Sequence, residues 1–210
     1  MSLNDFKVDD LHAQNGENIV LFVLESPHKD EFSRGHPIAG QAGKRLLSLL
    51  HKAGMTFENS SDMPLGCQIK NGNIENIGVM NASQIPLDAR FYCDHNSDTA
   101  RQLVLIKQRL QKTTQKNYLP KDGIELEMFN DFTARLKGSV SDSTQVVIPL
   151  GHLASNFVKS TKGIYCPVYY GVNHPSSKKW NSTENVNTLR SALSPLITNQ
   201  SSRPPSASAG

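Results

Sequence analysis

Residues 18–24 read NIVLFVL, and this run limits what the chain can fold into more than any other stretch. A strand with one wet face alternates apolar and polar residues; this one does not, so both its faces need cover. Three further runs repeat the theme: residues 77–80 (IGVM), 145–150 (QVVIPL) and 166–172 (CPVYYGV). Helical spacing fills the intervals. Residues 41–53 carry Leu46, Leu47, Leu49 and Leu50 on one side and stop at Gly54. Residues 97–111 start at a capping Ser97 and space Leu103, Ile106 and Leu110 as a helix does. Residues 125–136, 152–158 and 183–197 follow the same logic. Strands alternating with helices predict an α/β chain, a three-layer α/β/α sandwich around a mainly parallel four-stranded sheet.

A length of 210 residues suits one domain with one sizeable core, here residues 1–197. From Thr198 onward Ser, Pro and Ala dominate, which predicts a disordered tail over 198–210. Residues 56–75 read as a surface excursion with a hairpin at 70–73. Hydrophobic content of 37% and charged content of 20% describe a soluble globular chain. No apolar run approaches the roughly 18 residues of a membrane span, and the N-terminus lacks a signal pattern, so a cytoplasmic protein is expected. The formal charge of +3 permits nucleic-acid binding without arguing for it. Cys67, Cys93 and Cys166 lack the spacing of a zinc or iron–sulfur site, so packed thiols are expected, with no metal and no cofactor.

In parallel sheets ligands bind beyond the carboxyl ends of the strands. That rule gathers Glu25–His28, residues 81–86, Gly151 with His152, and residues 173–177 on one rim. Each is ordinary alone: Glu25 as a solvated loop carboxylate, Asn81 as turn chemistry, His174-Pro175-Ser176 as a helix cap. Together a carboxylate, an amide and an imidazole suit a small polar heterocycle, with water oriented by one and developing negative charge met by another.

Glu25-Ser26-Pro27 followed by Gly35-His36-Pro37-Ile38-Ala39-Gly40-Gln41-Ala42-Gly43 resembles the first motif of the uracil-DNA glycosylase superfamily. The iron–sulfur branch is the most similar. Met80-Asn81-Ala82, Leu150-Gly151-His152-Leu153-Ala154 and His174-Pro175-Ser176 resemble its later motifs in the same order, so the resemblance spans about residues 18–197. It implies base excision, the repair reaction that hydrolyses the N-glycosidic bond of a flipped-out nucleotide and leaves an abasic site in DNA. By similarity, Glu25 orients water or stabilises a cationic sugar, and His174 donates to the departing base. Asn81 reads the pyrimidine edge, with Ser26, His28 and Ile38 around the base. Gly40, Gln41 and Gly43 bring a helix N-terminus to the DNA. Ser176, Lys178 and Lys179 contact phosphates, and Trp180 is either a wedge into the base stack or a helix-start anchor.

The departures bear on substrate. His28 stands where the branch has Gly, and it could exclude bulky 5-substituents, contact a modified base or act as an acid or base. Ile38 replaces a Phe that would stack on the base. The cluster cysteines are missing, and residues 87–144 hold about two helices beyond the branch's usual length. Uracil in DNA is the default substrate and a modified pyrimidine the variant. A non-catalytic nucleic-acid-binding module and a hydrolase of free nucleosides are the competing classes. Lys29, Asp30, Glu31 and Arg34 are expected to be solvated loop.

Overall fold

A computed structural model describes residues 3–57, 62–92, 97–112, 120 and 123–201. The apolar run forms β1, Val20–Leu24, buried along its whole length. It lies between β2, Ile77–Asn81, and β3, Val146–Pro149, in the order β2-β1-β3 with both pairings parallel. Val20 sits opposite Ile77 and Val146, and Leu24 opposite Asn81, so the three carboxyl ends leave the sheet side by side.

Helices cover both faces, which is why β1 cannot alternate. Val20, Phe22 and Leu24 point into one cluster, filled by α2 (Gln41–Ala53), α3 (Leu65–Lys70) and α7 (Thr183–Ser201) through Leu46, Leu50, Ile69 and Leu193. Leu21 and Val23 point into the other, filled by α4 (Asp98–Lys112), α5 (Ile124–Ser139) and α6 (His152–Ser160) through Leu103, Phe132 and Phe157. The remaining helix, α1 (Lys29–Arg34), follows β1 directly. Among the described residues no helix is long and apolar enough to cross a membrane.

Several expectations need correction. The sheet has three strands among the described residues, not four. The segment at 166–172 meets β3 through one parallel bridge, Val147 to Val168, with Val147 N–H donating to Pro167 O and Tyr169 N–H to Val147 O. Pro167 has no N–H to extend that ladder, and Gly171 turns the chain away at φ 95°. The outer edge of β2 is covered instead by the N-terminal segment, Leu11 exchanging both backbone hydrogen bonds with Val79. No hairpin forms at 70–73. Leu65–Lys70 is a helix whose Leu65, Gly66, Cys67, Gln68 and Ile69 are buried, because the apolar side chains of this segment complete the first cluster. Helix α7 continues past Ile197 to Ser201, so the expected tail is helical at its start; residues 202–210 lie outside the described residues, as does Cys93.

Trp180 is the anchor, not the wedge. It is 2% exposed, packs in the first cluster at the start of α7, and donates its indole N–H to Arg45 O of α2 at 3.2 Å. Asn185 Nδ2 in turn donates to Trp180 O at 2.8 Å. Trp180→Ala should lower unfolding free energy by about 3–5 kcal/mol in urea melts, the cost of emptying a large core position. A residue that only wedged into DNA would shift stability by less than about 0.5 kcal/mol.

Candidate active site

Backbone hydrogen bonds set the rim. Ala82 N–H donates to Leu24 O and Ser83 N–H to Glu25 O, so the β1 and β2 exits stay paired one step past the sheet. Leu150 N–H donates to Val23 O and Gly151 N–H to Val172 O, which draws the β3 exit and the segment before His174 to the same place. Arg135 on α5 holds the β2 exit from below, donating to Asn81 O at 3.1 Å while paired with Asp10 and Asp131.

Glu25 and His174 meet across Gly151. A Cβ on Gly151 would lie 3.0 Å from both Glu25 Oε1 and His174 Cβ, and its φ of 93° is left-handed, so glycine is required on two counts. Glu25 is 8% exposed and its Oε2 accepts from Gln111 Nε2 on α4 at 3.0 Å. Ser26 beside it is buried. His174 Nδ1 accepts from the Ser176 backbone N–H at 3.3 Å and lies 2.8 Å from Ser176 Oγ. An accepting Nδ1 puts the proton of the neutral ring on Nε2. Burial holds the His174 pKa below 6.5; Glu25 opposes this, and His28 and Lys107 add to it. The His28 ring stands 6.4 Å away, edge-on, its pKa also lowered by desolvation and by Lys107. The site therefore offers one carboxylate and two imidazoles that are neutral at pH 7.

A cavity of about 450 Å³, a size that suits a small-molecule or nucleotide ligand, opens on this group. Glu25, Gln111, Gly151, His152, Asn156 and His174 line it. His28 lies on a neighbouring cavity with Phe32, Phe91 and Arg90. Asn81 lines neither. Its side chain is 0% exposed, and neither Oδ1 nor Nδ2 has a hydrogen-bond partner among the described residues. Leaving a buried amide unpaired costs about 1–3 kcal/mol, which folding alone does not explain.

The segment from His28 to Gly43 is held by its own close packing. Glu31, expected in solvent, is 4% exposed: its two oxygens accept from His28 N–H at 2.7 Å and Ile38 N–H at 2.5 Å. Position N3 of α1 turns this carboxylate inward, as in half of a capping box. Ile38 is fully buried with φ 45°, a strained value for a β-branched residue, and its side chain joins the first core cluster rather than facing a cavity. A Cβ on Gly40 would strike Asp30, and one on Gly43 would lie 2.0 Å from Ile38 O. These glycines let the loop close on itself, and Gly43 is buried, so open access for a ligand is not what requires it. Gln41, Ser176, Lys178 and Lys179 are exposed.

The structure thus joins Glu25, His174 and His28, sets Asn81 at the adjacent strand end, and removes Ile38 and Trp180 into the core. Gln111 and Lys107 were not foreseen, since nothing in the sequence aims a face of α4 at Glu25. No family model matches the chain, and no curated protein matches it.

Burial pushes the Glu31 carboxyl up from 4.5 to about 7 against the pull of its two N–H donors. The folded state then holds a proton that the unfolded chain releases, so this contribution is present below about pH 4.5 and lost as pH rises to about 7. Urea unfolding across that window should show wild type losing about 3 kcal/mol relative to Glu31→Gln, with a constant difference above it. A flat difference throughout would mean that Glu31 ionises normally.

Proposed function

We propose that this chain is a monofunctional DNA glycosylase that releases uracil or a modified pyrimidine from a flipped-out nucleotide. The observation that carries the reading is the meeting of Glu25 and a Nε2-protonated His174 over one cavity, in motifs resembling those of the uracil-DNA glycosylase superfamily. The unpaired amide of Asn81 supports it: a pyrimidine edge, with its own donor and acceptor, answers both orphaned atoms. Because Asn81 is fully covered, the base reaches it only as that cover moves.

The chemistry balances simply. The C1′–N bond breaks with its electron pair leaving on the base, and a water oxygen bonds to C1′ of an oxocarbenium-like sugar. Glu25 faces the positive sugar and accepts a proton from the water. The Nε2–H of His174 donates a hydrogen bond to the base oxygen as negative charge grows there, an interaction stronger in the transition state than in the substrate. A neutral imidazole suits this role, and the lowered pKa of His174 keeps it neutral at pH 7. The proton taken up by Glu25 passes through solvent to the departed base anion, which restores the carboxylate and leaves a free pyrimidine and an abasic site. Lys178 and Lys179, exposed after His174, suit backbone phosphates. A parallel sheet extended by the bridge at Val168 is compatible with a glycosylase-like sandwich.

A hydrolase of free nucleosides is the second reading, favoured by one fact: Trp180 is buried, so the expected wedge into a base stack is missing. Single- and double-stranded oligonucleotides carrying uracil or 5-modified pyrimidines, incubated with the protein and treated with alkali, should break at the modified base. Glu25→Gln and His174→Asn should each slow single-turnover cleavage by about 100- to 1000-fold without unfolding the protein. Cleavage of 2′-deoxyuridine with DNA left intact would replace this reading with the second. Cleavage of neither would leave a binding module.

A further inference from the structure

Helix α4 lies in the segment that exceeds the glycosylase motifs, yet one of its faces reaches the site. Gln111 Nε2 donates to Glu25 Oε2 at 3.0 Å and lines the same cavity as His174. Lys107 precedes Gln111 by one helical turn, so the two share a face. Arg109, between them, points elsewhere and pairs with Glu125 of α5. The other arginines of the neighbourhood are also engaged: Arg45 with Pro175 O, Arg90 with Asp88, Arg135 with Asp10 and Asp131.

The two Glu25 oxygens therefore differ. Oε2 is tied to α4, while Oε1 lies against Gly151 and accepts no hydrogen bond from the described residues. A glutamate at a strand exit has three side-chain torsions to fix, and the loss from a 1 Å misplacement of a reacting group reaches about 100-fold. We propose that Gln111 is a positioning residue for Glu25, and that α4 reaches the reaction site through it. Gln111 holds one oxygen so that the other presents to water and sugar. The rate consequence rests on the glycosylase reading, but the contact itself does not.

A double-mutant cycle on the full chain tests it, using the uracil oligonucleotide in single turnover. Q111L should slow cleavage about 10- to 50-fold with DNA Kd changed less than twofold. In the E25Q background the same substitution should change the rate less than twofold, because the group it positions is gone. Equal losses in both backgrounds, or a loss confined to Kd, overturn the proposal. If wild type releases no base at all, the glycosylase reading fails, and the contact is read separately. The Gln111 side-chain N–H resonances should move when Glu25→Ala is made, and resonances that stay in place refute the positioning role regardless of activity.

Discussion

The backbone ladder that holds Val20–Leu24 between two parallel partners is the constraint on which the rest of the structure depends. A strand hydrogen-bonded on both sides and buried on both faces has no freedom to slide, because a one-residue slip would send Leu21 and Val23 into the wrong cluster. Fixing its register fixes where it ends. The next residue, Glu25, is then delivered to the rim beside the ends of β2 and β3, and its own carbonyl is held by Ser83 N–H. The site inherits its precision from the sheet rather than from its loops.

A second constraint lies in how the loop after β1 closes. Asp30 against Gly40, Ile38 O against Gly43, and Pro37 O against Gly66 are contacts too close for any Cβ. The buried carboxylate of Glu31 holds two N–H groups of this loop and keeps Ile38 in its left-handed conformation. Strain of this kind costs on the order of 1–3 kcal/mol and persists only where neighbours over-determine it. Here α1, α2 and α3 supply those neighbours, and His28 is presented at the edge of the site as a result.

Charge at the site follows from partial burial. Desolvation lowers both imidazole pKa values, and Lys107 lowers them further against the pull of Glu25. Glu25 thus stands beside a neutral imidazole with a free donor at Nε2, an arrangement suited to a reaction that builds positive charge on a sugar and negative charge on a base. The unpaired amide of Asn81 is left chemically unfinished at the adjacent strand end.

The sequence by itself determined the α/β alternation, the helix over Gln41–Ala53 and the order of the strand ends carrying Glu25 and Asn81. These rest on hydrophobic period and chain order, which are local properties. It did not determine the fourth strand, because an apolar run containing Pro167 and Gly171 has the hydrophobicity of a strand without its ladder of donors. It misread Glu31 as solvated, since a carboxylate's burial depends on which N–H groups surround it. It left Trp180 between surface and core, a choice made only when Arg45 O and α7 closed around the ring. Tertiary structure alone decided that α4 turns Gln111 toward Glu25, because nothing in the periodicity of a helix says which distant side chain its face will meet.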